Sequence, residues 1–120
     1  MEAVNKRIRV RLVVKKGLDY FTLPVRDIAY AFVESKIVYI VDKQCRKYMY
    51  DKNLYELHDE LDKSQFFRAN RQYLLNLDFI KCFKTYEKVK IQVEMLLDNK
   101  EVIIVSQENA AVFKKWINHF

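Results

Sequence analysis

The sequence predicts a mainly β domain, at the margin of the α+β class, with short antiparallel sheets, a short mid-chain helix and a C-terminal helix. Most of the chain consists of short runs of alternating, β-branched or aromatic residues, separated by polar turn residues. Two stretches instead place apolar residues at helical spacing. The 120 residues, 51% of them hydrophobic, suffice for one domain with a core of its own.

The strands are predicted from period-two alternation. In the first, Ile8, Val10 and Leu12 alternate with Arg9 and Arg11, which is typical of a half-buried strand. Further strands are predicted at residues 21–25, 29–33, 37–41, 47–50, 72–76, 80–86, 89–95 and 102–105. Polar residues at 86–88 and 98–100 predict turns between the last three strands.

The two helices are predicted from apolar stripes. Leu54, Leu57 and Leu61 recur at helical spacing and indicate a short amphipathic helix. Ser106 is a suitable N-cap for a second helix, because its hydroxyl can accept a hydrogen bond from a free backbone N–H. The apolar stripe of that helix consists of Phe113, Trp116, Ile117 and Phe120. We interpret both stripes as core packing.

Charge is unevenly distributed along the chain, whose formal net charge is +6. Residues 1–17 hold six Lys or Arg against one acid and residues 36–52 hold five against two, whereas residues 54–63 are net negative. Such a separation of charge suits a polyanionic partner. The alternative is a basic surface that only keeps a small protein soluble.

The sequence offers no constellation for catalysis, a metal or a cofactor. Cys45 and Cys82 lie far apart, and His58 and His119 each lack a neighbouring ligand. No apolar run approaches the roughly 20 residues of a membrane span, and the basic start lacks the apolar stretch of a signal peptide. We therefore expect a cytoplasmic protein that is not an enzyme, contains no cofactor or metal and does not contact a membrane.

One polar cluster stands out between aromatic and aliphatic residues, in the stretch FFRANRQYLLNLDFI. Its members are Arg68, Asn70, Arg71 and Gln72. Arginine matches guanine or phosphate, and asparagine and glutamine pair bidentately with adenine, so an exposed loop of these types can read bases. A surface loop whose Arg and Asn hold the backbone, or pair with Asp62 or Asp78, is an equally good interpretation.

Four segments, in order from about Arg9 to the C-terminus, resemble the LytTR family of bacterial DNA-binding domains. The signature is FFRANRQYLLNLDFIKCF, preceded by TLPVRDIAYAFVESKIVYIV and NLYELHDELDKSQFFR and followed by VIIVSQENAAVFKKWI. The resemblance implies a mostly β fold that binds double-stranded DNA through loops entering successive major grooves. It makes this chain the expected output domain of a two-component transcriptional regulator.

The resemblance also implies the residues of the interface. The DNA-binding candidates are Ser35, Lys36, Arg68, Asn70, Arg71, Gln72, Ser106 and Gln107, with possible phosphate contacts from Lys84, Lys88 and Lys90. Arg68 is expected to clamp a phosphate or to brace the loop, and Asn76 to hold backbone structure. Many relatives carry His in place of Asn70 and Arg in place of Gln107, so we expect fewer charge-assisted contacts here.

The expected organisation is a basic tail or linker remnant at residues 1–8 and the DNA-binding domain at residues 9–120. The family usually follows a receiver domain or a membrane segment, so the chain is either a standalone regulator or a piece of a larger one. Two copies are expected on short DNA repeats about one helical turn apart. The alternatives are a protein–protein interaction module that docks a partner strand, and a single-strand binder that stacks bases on exposed aromatics.

Overall fold

The chain has a mainly β fold, as predicted. Its structure is a computed structural model, which describes residues 8–98 and 101–118. The strands are β1 (Arg11–Lys16), β2 (Asp19–Pro24), β3 (Ile28–Glu34), β4 (Ile37–Asp42), β5 (Lys47–Tyr50), β6 (Phe66–Arg68), β7 (Tyr73–Asn76), β8 (Ile80–Tyr86), β9 (Lys90–Met95) and β10 (Val102–Val105). The helices are α1 (Leu54–Glu60) and α2 (Gln107–Ile117), with 3₁₀ turns at Val25–Asp27 and Leu77–Phe79. In the described ranges, no helix is long and apolar enough to cross a membrane.

The strands form two antiparallel sheets. The large sheet has seven strands in the order β2-β1-β5-β4-β3-β7-β6, and the small sheet has three in the order β10-β9-β8. Tight hairpins join most neighbours, and the β3–β4 turn places both Ser35 (φ 51) and Lys36 (φ 67) in the left-handed region. Two consecutive residues of positive φ are typical of the hairpin turn whose twist matches that of the strands.

The large sheet separates two hydrophobic cores. On one face, Leu54 and Leu57 of α1 pack with Ile40, Phe66 and Leu74 of the sheet. On the other face, the small sheet and α2 pack against the large sheet through a cluster that includes Phe67, Leu75, Val93, Ile103 and Phe113. The leucine stripe predicted for the mid-chain helix and the position of Phe113 are therefore confirmed as core packing.

The first predicted strand is wrong in its first half. β1 begins at Arg11, and Ile8 and Val10 are 55% and 77% exposed. Of the alternating apolar residues, only Leu12 and Val14 are buried. Before β1 the backbone bonds to the end of α1, because the N–H of Arg9 donates to the carbonyl of Glu60 at 2.9 Å. Residues 1–7 of the expected tail, residues 99–100 of the expected turn and Phe120 lie outside the described residues.

Candidate nucleic-acid interface

Two of the predicted binding segments lie at the same end of the large sheet. β3 pairs with β7 so that Phe32 faces Tyr73, and the N–H of Val33 donates to the carbonyl of Gln72 at 3.0 Å. The end of β3, which leads to Ser35 and Lys36, is therefore adjacent to the turn that precedes β7. The Gln72 side chain extends this link, because its Nε2 donates to the carbonyl of Val33 at 3.2 Å.

Asn70 organises the turn between β6 and β7. Its Oδ1 accepts hydrogen bonds from the N–H groups of Gln72 (2.7 Å) and Tyr73 (3.0 Å). Its Nδ2 donates to the carbonyl of Ile104, in β10 of the small sheet, at 2.6 Å. Both ends of the Asn70 amide are thus engaged within the protein, and they fix the turn to the small sheet.

Arg68 holds the backbone of the same turn through its side chain. Its Nε donates to the carbonyl of Asn70 at 3.0 Å and its Nη2 donates to the carbonyl of Arg71 at 2.9 Å. The guanidinium is half-buried, and this burial lowers the pKa of Arg68 from its ordinary value. These contacts match the bracing role, one of the two that the sequence left open for Arg68, and neither Arg68 nor Asn70 bonds to Asp62 or Asp78 among the described residues.

Arg71 differs from its neighbours because its side chain is exposed and makes no hydrogen bond or ion pair within the described residues. Only its carbonyl is engaged, by Arg68. The turn therefore presents the free guanidinium of Arg71, with its N–H donors, on a backbone that Arg68 and Asn70 hold by hydrogen bonds. Such a side chain can meet a guanine edge or a phosphate without prior loss of an internal contact.

The start of α2 lies beside this turn. The N–H of Ser106 donates to the carbonyl of Ala69 at 3.1 Å. Asn109, which the sequence analysis did not single out, donates from Nδ2 to the carbonyls of Arg68 (3.3 Å) and Ala69 (3.4 Å). The position of Asn109 in the first turn of α2, close to Ser106, was the signal from which the sequence could have identified it. Gln107, between Ser106 and Asn109, is exposed.

The predicted capping role of the Ser106 side chain is wrong. Ser106 has the extended backbone of an N-cap (φ −63, ψ 158), but its side chain makes no capping bond, and its buried Oγ has no partner within the described residues. The reason is that the N–H of Asn109 donates to the backbone carbonyl of Ser106 instead, at 3.0 Å.

The three candidate lysines surround the β8–β9 hairpin, near the same end of the molecule. Tyr86 pairs with Lys90, and Val105 at the end of β10 pairs with Ile91, so the hairpin tip and the start of α2 share one end of the small sheet. Lys84 and Lys88 are exposed, whereas Lys90 is half-buried and lies 3.4 Å from Glu87. Two exposed acids, Glu34 and Glu108, also occur at this end.

Asn76 holds backbone structure, as expected. It is buried, and its Nδ2 donates to the carbonyl of Ile28 at 2.7 Å. Its Oδ1 accepts from the Nε2 of Gln65 (2.7 Å) and from the N–H of Asp78 (3.0 Å). Asn76 therefore fixes the end of β7 that lies farther from the β6–β7 turn.

Comparisons with known proteins agree with this architecture. The family model of the LytTr DNA-binding domain matches residues 19–118. Among solved structures, a LytTr DNA-binding domain from a Bacillus cereus protein described as a response regulator matches with a TM-score of 0.83 and 23% identity, over 91% of this chain and 97% of that chain. A comparison with curated proteins gives no match.

Proposed function

This chain belongs to the LytTR family of DNA-binding domains, and we propose that it binds double-stranded DNA in a sequence-specific manner. One observation supports the proposal above all. Three segments that are distant in sequence, the β3–β4 turn, the β6–β7 turn and the start of α2, lie at one end of the molecule, where hydrogen bonds join the β6–β7 turn to the end of β3 and to Ser106. We call this surface the reading end.

The residues of the reading end fall into two groups: those that we propose contact DNA bases and those that hold the backbone of the turn. Arg71 reads a base, because its guanidinium is exposed and free, and Ser35, Lys36 and Gln107 on the flanking segments are exposed as well. Asn70 and Arg68 act by holding the turn, since their polar groups bond to backbone carbonyls and N–H groups. Gln72 has a part in both groups, because one N–H of its amide bonds to the Val33 carbonyl while the side chain is exposed.

Phosphate contacts flank the reading end. Lys84 and Lys88 extend from the β8–β9 hairpin as exposed ammonium groups, which suits the sequence-independent part of DNA binding. Lys90 contributes after releasing Glu87. Loops placed side by side at one end of the sheets fit neighbouring major grooves, while the lysines span the intervening backbone.

The biological setting follows the family. We propose that the domain, residues 9–120, is the output module of a bacterial transcriptional regulator of the two-component type, with residues 1–8 as a tail or linker. Its parent protein then carries a receiver or sensor domain and works in the cytoplasm, where two copies occupy short repeats about one helical turn apart. The B. cereus domain is described as part of a response regulator.

The test is selection of bound duplexes from a random library by the purified chain, in parallel with Arg71→Ala. We expect a short motif from the unsubstituted chain and loss of part of that motif with the variant. No enrichment above background, or an identical motif from both proteins, would contradict sequence reading by Arg71.

A salt titration and a strand competition separate this function from the two alternatives. The logarithm of the duplex binding constant should fall linearly with the logarithm of salt concentration, with a slope of about −0.9 per phosphate contact. A module that docks a protein strand would bind DNA without such dependence. A single-strand binder would prefer unpaired competitor and lose affinity when an exposed tyrosine such as Tyr20 or Tyr55 is truncated.

A further inference from the structure

The large sheet ends in a strand that has no neighbour on its outer side. β2 occupies one end of the strand order and pairs with β1 alone in the described part of the chain. Its side chains are largely exposed, with Tyr20 at 69% and Phe21 at 43%. An edge of this kind offers unpaired N–H and C=O groups to another extended strand.

The register of the β1–β2 hairpin shows which backbone groups face outward. Pairs in an antiparallel hairpin alternate between hydrogen-bonded and non-hydrogen-bonded. The N–H of Val25 donates to the carbonyl of Val10 at 2.9 Å, so Val25 and Val10 form a hydrogen-bonded pair. Counting along the register from this pair, the odd-numbered residues of β2 bond to β1. The N–H and C=O groups of Tyr20 and Thr22 therefore point away from the sheet. Pro24, which lacks an N–H, falls in the same outward set, as edge prolines do.

The other sheet edges carry more protection against pairing than β2, whose Asp19 and Pro24 lie only at its two ends. Edges are commonly blunted by shortness, by charged side chains, by proline or by bulges. β6 has three residues and β10 has four, while β8 carries Lys81 and Lys84 and a register shift between Ile80 and Cys82. β2 has six residues, no Lys or Arg, and an unbroken register with β1.

We propose that β2 is a docking edge for a second copy of this chain, forming an antiparallel β2–β2 pair in which Phe21 of the two copies face each other. In this register Tyr20 of each copy lies opposite Thr22 of the other. Both residues carry outward backbone groups, so each of these two pairs exchanges both of its hydrogen bonds.

The fit is specific for a second copy, because the strand is complementary to itself in this register. Tyr20 opposite Thr22 is an aromatic and β-branched pair, a favourable cross-strand combination. The only charged residue of β2, Asp19, comes to lie opposite Leu23, so the two carboxylates occupy opposite ends of the pair. In a register shifted by one residue, the outward backbone groups of one copy would lie opposite residues of the other copy whose backbone groups bond to β1. In the register centred on Thr22, Tyr20 would lie opposite Pro24, which has no N–H to donate.

The expected association is weak, because two six-residue strands bury less than the roughly 1,000 Å² of a stable interface. We therefore expect dimers whose fraction rises with protein concentration. The inference stands apart from DNA binding, since β2 contributes no residue to the reading end.

Disulfide cross-linking tests the register. In a chain with Cys45→Ser and Cys82→Ser, which removes both free thiols, Phe21→Cys is compared with Thr22→Cys under mild oxidation. Residues facing each other in a non-hydrogen-bonded pair lie about 4.5 Å apart at Cα, which is within disulfide range, whereas the two copies of residue 22 are offset along the strands. We expect several-fold more dimer from Phe21→Cys on a non-reducing gel. Equal cross-linking of the two variants, or none, would overturn the proposal.

Sedimentation velocity tests the outward hydrogen bonds. The sequence with its native Phe21 and Thr22 should shift toward dimer between about 10 µM and about 1 mM, the range of weak complexes. Thr22→Pro removes an outward N–H without touching the β1 ladder, so it should stay monomeric with an unchanged melting temperature, while Thr22→Val should still dimerise. A monomeric native chain at every concentration, or a Thr22→Pro variant that associates equally well, would overturn the proposal.

Discussion

At the scale of the residue, Asn70 and Arg71 are neighbours in the chain with opposite tasks. Every polar atom of the Asn70 side chain is engaged inside the protein, whereas the Arg71 side chain is free among the described residues. The sequence alone left two readings of this stretch, base recognition or backbone support. The structure shows backbone support by Arg68 and Asn70, and it leaves the Arg71 side chain free among the described residues for the base recognition that we propose.

Arg71→Ala should weaken binding to the selected DNA site by about 1–3 kcal/mol, since it removes the bidentate base contact that we propose for Arg71. Folding should be unaffected, because the side chain has no internal partner among the described residues. Fluorescence anisotropy with specific and random duplexes measures the change. Arg26→Ala is the matched control, because Arg26 is exposed and lies before β3, at the opposite end of that strand. An equal loss in both variants would indicate that only net charge matters.

Asn70→Ala should lower the free energy of unfolding by about 1–3 kcal/mol, because it leaves partners in and near the turn unsatisfied. Asn70→Asp retains an acceptor for the N–H groups of Gln72 and Tyr73 but loses the donor to Ile104, so its effect should be intermediate. Urea denaturation measures both variants. Full stability of Asn70→Ala, with DNA affinity alone reduced, would show that Asn70 is a reader and not a support.

At the scale of the element, the two helices begin differently although both follow a residue that favours N-caps. Asn53 forms a complete capping box with Glu56: its Oδ1 accepts from the N–H of Glu56 at 2.8 Å, and Glu56 Oε1 accepts from the N–H of Asn53 at 3.1 Å. Ser106 has the backbone conformation of a cap without its side-chain bond. Residue type therefore agrees with both helix starts, but only the first helix has a side-chain cap, and the cap predicted at Ser106 does not form.

Asn53→Ala should cost about 0.5–2 kcal/mol of stability through loss of the cap, whereas Ser106→Ala should be close to neutral. The comparison is made by urea denaturation of the two variants beside the unsubstituted chain. A large loss from Ser106→Ala would mean that its hydroxyl caps α2 after all.

Strand prediction succeeded where the residues with alternating hydrophobicity also pair with a neighbouring strand in the sheet. Residues 47–50, 80–86 and 102–105 were located with the observed bounds. Ile8 and Val10 show the same alternation but remain exposed, because the strand begins only at Arg11. β6 was missed, since three residues are too few for a period to be visible.

At the scale of the whole molecule, the half-buried His58 and the buried Asp42 link stability to pH in the same direction. His58 lies against the carbonyl of Phe66 (3.3 Å from Nε2), and burial lowers its pKa below the ordinary 6.5. Burial by itself raises the pKa of Asp42, but hydrogen bonds from Arg46 and Gln44 and the positive charge of Arg46 outweigh this, and the pKa lies below the ordinary 3.8.

The unfolded chain therefore takes up protons at both positions before the folded protein does, and the free energy of unfolding should fall as pH falls. The first decrease should begin below pH 6.5 and the second below pH 3.8. His58→Gln should flatten the first and Asp42→Asn the second, as measured by urea denaturation across a pH series. A stability that is constant between pH 7 and pH 5 would contradict the lowered pKa of His58.

The sequence by itself determined the class of fold, the family and the segments that carry candidate residues, because these depend on local periodicity and on motifs that are contiguous in the chain. Only the tertiary structure decided which candidates are free to bind. That distinction depends on partners far away in sequence: Ile104 for Asn70, Val33 for Gln72, and the Arg68 and Ala69 carbonyls for Asn109. A hydrogen bond across 34 to 41 residues leaves no local pattern, so it becomes visible only when the sheets are assembled.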